Sequence, residues 1–256
     1  MKILNSKIIG EKPKHFIIAH GLFGQLDNWN TLGKQYGDYF TTHLVDLRNH
    51  ARSFHDEDTS HHAMAEDLRN YMIHHNIEKA HFMGHSMGGK VVMDLALNHP
   101  ERIDKLLIAD MAPKAYPPHH EEILSGLESV DFSQVELRSD VEDFLEPYIP
   151  SKSVRLFLMK NVKRKKDETY AFRFNLKALS RDYDNLVGNN LPEKEFQKPV
   201  LFLGGENSRY ILPEDKEQIL KYFPKATIDY VSNAGHWLHA ENPKEFFDKT
   251  ISFLKK

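Results

Sequence analysis

Ser86 lies within Gly84-His85-Ser86-Met87-Gly88, a G-x-S-x-G pattern. A serine hydroxyl is a weak nucleophile until a base takes its proton as it attacks a carbonyl carbon. The pattern supplies the mechanical half of that chemistry. At a sharp strand-to-helix turn the serine backbone is strained, the flanking positions must be glycine to avoid a clash, and Oγ is lifted clear of the sheet. The context fits: an apolar run at 80–83 precedes the motif, and a helical pattern (Val91, Val92, Leu95, Ala96) follows it and stops at Asn98-His99-Pro100. The base would be a histidine. His236, in Ser232-Asn233-Ala234-Gly235-His236-Trp237, follows the last apolar run and completes the chain order nucleophile, acid, histidine. His239 is the weaker competitor, because the residues after Trp237 read as the start of a helix. Asp110 closes the apolar run 106–109, where a carboxylate is expensive to bury unless it is paired or hydrogen-bonded. It could orient the histidine, or equally cap the next segment or brace a loop.

Acyl chemistry also needs donors for a developing oxyanion. His20-Gly21-Leu22-Phe23-Gly24 follows the run 15–19, and its glycines let backbone approach a ligand closely. The N–H of Leu22, with that of Phe23 as the neighbouring alternative, would face the oxyanion. The N–H of Met87, directly after the nucleophile, would be its partner.

The elements that must carry these residues are short apolar runs at 2–9, 15–19, 43–47, 80–83, 106–109, 200–203 and 227–231. Most are continuous rather than alternating, which suits strands covered on both faces. Helical material between them, including Met64, Leu68, Tyr71 and Met72 on one helix face, predicts an α/β fold with a mostly parallel sheet flanked by helices. Ligands in such sheets bind beyond the carboxyl ends of the strands, where the residues singled out above fall. Asp46 and Arg48 read as structural braces of the loop after the third run.

Residues 114–190 break this rhythm. Helices are expected near a possible capping box at Ser139-Asp140-Val141-Glu142 and around 154–159, with Pro117, Pro118, Pro147 and Pro150 between them. The segment reads as a mainly helical lid inserted between two strands, the core being 1–113 and 191–256. Tyr116, Leu127, Phe144, Phe157, Met159, Phe172 and Phe174 are candidates for its underside, and the basic run 163–166 reads as a solvated turn.

A net charge of −3 gives no reason to expect nucleic acid or an anionic membrane as partner. The absence of cysteine excludes disulfides, a thiolate nucleophile and cysteine-ligated metal. The pairs His61-His62, His74-His75 and His119-His120 raise the question of a metal. Adjacent histidines on a helix point to different faces, however, and none sits in an i, i+4 pair with a nearby carboxylate base, so no metal is expected. Residues 1–14 lack the apolar core of a signal peptide and no window approaches a membrane span, so a cytoplasmic soluble protein is the expectation.

By His20-Gly21, Asp46-x-Arg48-x-His50, residues 84–88, Asp110-Met111-Ala112-Pro113 and Gly235-His236-Trp237, the chain resembles the α/β-hydrolase family over most of its length. More closely, the runs 20–24 with Asp27-Asn28-Trp29, 48–50, 84–90 and 235–241 resemble the YbfF-type esterase branch. The resemblance implies a serine carboxylesterase with a small helical cap, no cofactor, and a small-molecule ester or thioester substrate. Many relatives carry the triad acid before the histidine strand, where this chain has Ser208. In the YbfF-type branch the acid is borne one strand after the nucleophile, which maps to Asp110, with Ser208 as an auxiliary hydrogen-bond donor and Glu206 as the rival acid. Ala51 stands where relatives often have glycine. The expected reaction is hydrolysis of small to medium acyl esters. Thioester, carbon–carbon or perhydrolysis chemistry on the same triad, or a weakly catalytic binding module, stay open because a fold does not fix a function.

Overall fold

The structure, a computed structural model, describes residues 2–118 and 120–256; Met1 and His119 of the readings above lie outside them. Strands β1 (Ser6–Ile9), β2 (His15–Ala19), β3 (Thr41–Val45), β4 (Ala80–His85) and β5 (Ile103–Ala109) precede the insertion. It contributes β6 (Val162–Arg164) and β7 (Tyr170–Phe172), and β8 (Val200–Gly205) and β9 (Ala226–Val231) follow. The main sheet runs β1-β3-β2-β4-β5-β8-β9. Only its edge strand β1 is antiparallel to its neighbour.

All seven apolar runs are strands of this sheet. The third ends two residues early because the chain is already leaving the ladder. The Leu47 N–H bonds to the His20 ring at 3.0 Å, and the Asp46 carboxylate accepts from Leu26 N–H at 2.7 Å and Asn5 at 2.7 Å. Arg48 forks onto Asp67 at 2.5 and 2.8 Å, so both charged residues brace this corner.

Helices α1 (Asn30–Gly37), α2 (His61–His74) and α3 (Met87–Asn98) cover the first half of the sheet. Met64, Leu68, Tyr71 and Met72 of α2 are fully buried, as their spacing predicts. Strands β4 and β8 are buried along their whole length, which is why they read as unbroken apolar runs. The two faces of the sheet carry separate cores. One joins α2, α3 and the insertion; the other packs Phe16, Trp29, Tyr36 and Phe246.

The insertion holds α4 (Glu121–Glu128), α5 (Asp140–Leu145), α6 (Lys152–Met159), α7 (Leu176–Arg181) and α8 (Tyr183–Val187). Two expectations need correction here. Lys163 and Arg164 of the basic run belong to β6, paired antiparallel with β7, and only the rest of the run turns. Ser139 does not cap α5. Its backbone is already helical, and the Asp140 carboxylate instead accepts from the upstream N–H groups of Glu136 and Leu137 at 3.0 and 2.8 Å.

The insertion is tied to the core at its base. Lys90, on α3 and 1% exposed, places Nζ within hydrogen-bond reach of the carbonyls of Lys114 at 2.8 Å, Val187 at 3.1 Å, and Gly188. Tyr116 N–H meets the Val187 carbonyl at 2.9 Å. Helix α9 (Lys216–Tyr222) joins β8 to β9, and α10 (Leu238–Glu241) and α11 (Pro243–Lys255) follow β9. Among the described residues no helix is long and apolar enough to cross a membrane.

Candidate active site

Ser86 joins β4 to α3 with φ 53° and ψ −122°, a conformation that a non-glycine residue holds only when its surroundings force it. Its N–H bonds to the Ala109 carbonyl of β5 at 3.0 Å. A Cβ on Gly84 would lie 2.1 Å from the Gly88 carbonyl oxygen, and one on Gly88 would lie 2.5 Å from that of His20. Both glycines of the motif are therefore required by close backbone approach, and the strand-turn-helix expected from the sequence is present.

Asp110 follows β5, also at positive φ (51°), and is completely buried. Its carboxylate accepts from three donors: His236 Nδ1 at 2.7 Å, Gly205 N–H at 3.1 Å, and Ser208 Oγ. Burial pushes this carboxyl up to about 6, while the Ser208 and Gly205 donors pull it back down. Glu206, by contrast, is exposed and accepts from Asn233 N–H at 2.8 Å. His239 faces the same cavity as His236, but its ring stacks on Trp29 at 4.2 Å and Asp110 is taken by His236.

Ser86, His236 and Leu22 line one cavity of about 660 Å³, roofed by Ile123, Val154 and Phe157 of the insertion. Of the residues expected on the lid's underside, Phe157 lines this cavity and Tyr116 a smaller one behind Ser86. Leu127, Met159 and Phe174 are instead buried in the core, and Phe144 and Phe172 pack against it. Gly24 N–H bonds to the Gly21 carbonyl at 2.9 Å, so Leu22 and Phe23 form the corner of a tight turn. Phe23 takes φ 57° there. Gly21 lies against Ser86, since a Cβ on it would be 3.1 Å from the serine Cβ. Met87 is the first residue of α3, where an N–H has no intrahelical acceptor and the helix dipole favours negative charge.

Several supporting contacts were not read from the sequence. His85, the variable position before the serine, bonds through Nε2 to the His236 carbonyl at 2.8 Å. Burial pulls its pKa down to about 3, so the ring is neutral and donates that hydrogen bond. Tyr210 stacks on the His236 ring at 3.8 Å, and Tyr116 Oη donates to the Tyr210 carbonyl at 2.7 Å. Asn161, from the insertion, donates to the Phe23 carbonyl at 2.7 Å and so holds the turn beside Ser86. His20 clamps the same turn. Nδ1 meets the Gly21 carbonyl at 2.8 Å, and Nε2, receiving the Leu47 N–H, must be unprotonated. Each of these bonds joins residues far apart in sequence or uses a residue type with many other roles, so spacing carried no signal. Of the first histidine pair, His61 is buried while His62 is exposed and bonds to Asp94 at 3.0 Å. No group of three or more side chains suited to a metal ion is present among the described residues.

The family model described as alpha/beta hydrolase fold matches residues 14–243. The esterase YbfF of Escherichia coli is 35% identical over 229 residues, covering 89% of this chain and 87% of that protein. The sn-1-specific diacylglycerol lipase ABHD11 of Danio rerio is 32% identical, covering 93% and 78% respectively. Among solved structures, a marine microorganism esterase superposes with a TM-score of 0.96 at 38% identity, over 99% of this chain and all of that one.

Proposed function

The chain belongs to the α/β-hydrolase fold family and is a carboxylic ester hydrolase, and from that premise we propose that it cleaves small to medium acyl esters through an acyl-enzyme on Ser86. His236 takes the Ser86 proton as Oγ bonds to the ester carbonyl carbon. The N–H groups of Leu22 and Met87 receive the oxyanion. When the carbon–oxygen bond to the alcohol breaks, the same proton passes from His236 to the departing oxygen. Water then enters, gives a proton to His236 and forms a bond to the acyl carbon; Ser86 recovers that proton as the acid leaves. Asp110 fixes the imidazole so that Nδ1–H points at the carboxylate and Nε2 is free to act as base, and Ser208 anchors Asp110.

The observation that carries this reading is the His236–Asp110 bond at 2.7 Å beside a serine held at positive φ on a shared cavity. The test is hydrolysis of p-nitrophenyl esters from acetate to long acyl chains by the wild type and Ser86→Ala. The wild type should turn over, be labelled by a fluorophosphonate, and exceed Ser86→Ala by ~10⁴-fold or more in kcat. Equal rates in the two proteins would end the proposal.

A further inference from the structure

Resting on the acyl-enzyme reading, we infer that the two cavities flanking Ser86 divide the substrate: the acyl group enters the small one, the alcohol the large one, and the enzyme prefers acetyl or propionyl esters of bulky, largely apolar alcohols. Leu22, Ser86 and His120 line both cavities, so the serine stands at their junction. The large one measures about 660 Å³, within the range that holds a drug-sized ligand. The small one measures about 20 Å³, little more than one water-sized site requires, and is walled by Met87, Met111, Tyr116, Leu186, Val187 and Tyr210.

The direction follows from where the proton must go. The tetrahedral carbon on Ser86 Oγ carries three other groups: the oxyanion, the acyl chain and the leaving oxygen. The oxyanion is committed to the Leu22 and Met87 amides. The leaving oxygen must come within hydrogen-bond reach of His236, which returns the serine proton to it as the carbon–oxygen bond breaks. His236 lines the large cavity and is not among the residues of the small one. Leaving group and large cavity therefore go together, and the acyl chain is left with the small one.

The small cavity is also hard to enlarge. Lys90, one of its lining residues, binds the carbonyls of Lys114, Val187 and Gly188, which ties its insertion-side wall to α3. Tyr116 is fixed between Ala112 N–H and the Tyr210 carbonyl, both at 2.7 Å.

Two ester series separate the cavities. At a fixed p-nitrophenyl leaving group, kcat/KM should fall by about 10-fold or more from propionate to octanoate, because added methylenes meet fixed walls. At fixed acetate, kcat/KM should rise from the methyl to the 2-naphthylmethyl ester. Leu186→Ala, with Met111→Ala as a second variant should the first fold poorly by circular dichroism, should move the acyl optimum to longer chains. Phe157→Ala should alter only the alcohol series. A wild-type preference for octanoate with indifference to the alcohol, or an acyl profile moved by Phe157→Ala and by neither small-cavity variant, would overturn the assignment. Failure to hydrolyse any ester faster than Ser86→Ala would instead sink the acyl-enzyme reading beneath it, a separate result.

Discussion

Asp110 gathers three donors, from His236, Gly205 and Ser208, on one buried carboxylate. Asp110→Asn should leave the fold intact by circular dichroism and lower kcat by about 10⁴-fold, since the amide favours the wrong imidazole tautomer. Glu206→Gln, at an exposed side chain turned toward Asn233, should stay within about 2-fold of wild type; a large loss there with activity retained in Asp110→Asn would exchange their roles. Ser208→Ala removes a bond that holds the Asp110 pKa down. The carboxyl pKa then rises, so the acid limb of kcat/KM should move to higher pH, and superimposable profiles from pH 4.5 to 8 would contradict this. Ser86, Asp110 and His236 were legible in the sequence as candidates because each follows a strand run, beyond whose carboxyl end the fold places ligands. His85 was not, because its partner is the carbonyl of His236, 151 residues away, and a backbone acceptor leaves no trace in the sequence. Ala51 sits at φ 44°, where a Cβ is strained, so a glycine at this position would relieve the backbone.

The insertion reaches the chemistry through single bonds between elements. Asn161, just after α6, is 1% exposed and holds the Phe23 carbonyl in the turn that presents Leu22 to Ser86. Asn161→Ala should orphan that carbonyl, cost about 1–3 kcal/mol of stability, and lower kcat more than it raises KM, measured by urea unfolding and steady-state kinetics. A change in stability with unaltered kcat would make the contact structural only. Lys90 belongs to the same scale. Burial pulls its pKa from 10.5 down to about 7. Between those values the unfolded chain holds a proton that the folded chain lacks, so this group's contribution is full above 10.5 and lost as pH falls toward 7. The stability difference between wild type and Lys90→Met should accordingly grow in favour of wild type from pH 7 to 9, and a difference independent of pH would refute it. Strand positions, the elbow and the existence of the insertion were readable from apolar runs and glycines; the order of the strands in the sheet was not. The β6–β7 hairpin was not, since two three-residue strands are too short to show alternation.

Taken whole, the molecule should lose stability in acid, because it buries many histidines. His20, His43 and His81 have pKa values lowered to about 4, and His50, His61 and His85 to about 3, burial being the largest cause in each. Unfolding returns these rings toward the ordinary 6.5, so the unfolded chain binds protons that the folded chain excludes. Their stabilisation is full above pH 6.5 and is lost on descent toward 4, each ring giving a slope of up to about 1.4 kcal/mol per pH unit. Asp46, Asp67 and Asp110 are shifted upward and act oppositely in the same range, but they are fewer. The urea midpoint should therefore drop steeply from pH 7 to 5, and a flat profile would show the rings to be more hydrated than their burial implies. Lys90 Nζ grips the insertion where it departs, at Lys114, and where it returns, at Val187 and Gly188. The ends of the excursion are thereby pinned together on the nucleophile's own helix, and the sheet need not register what lies between them. A relative's lid grafted across that junction should travel as an exchangeable cassette, bringing its donor's ester profile while the host supplies the catalysis.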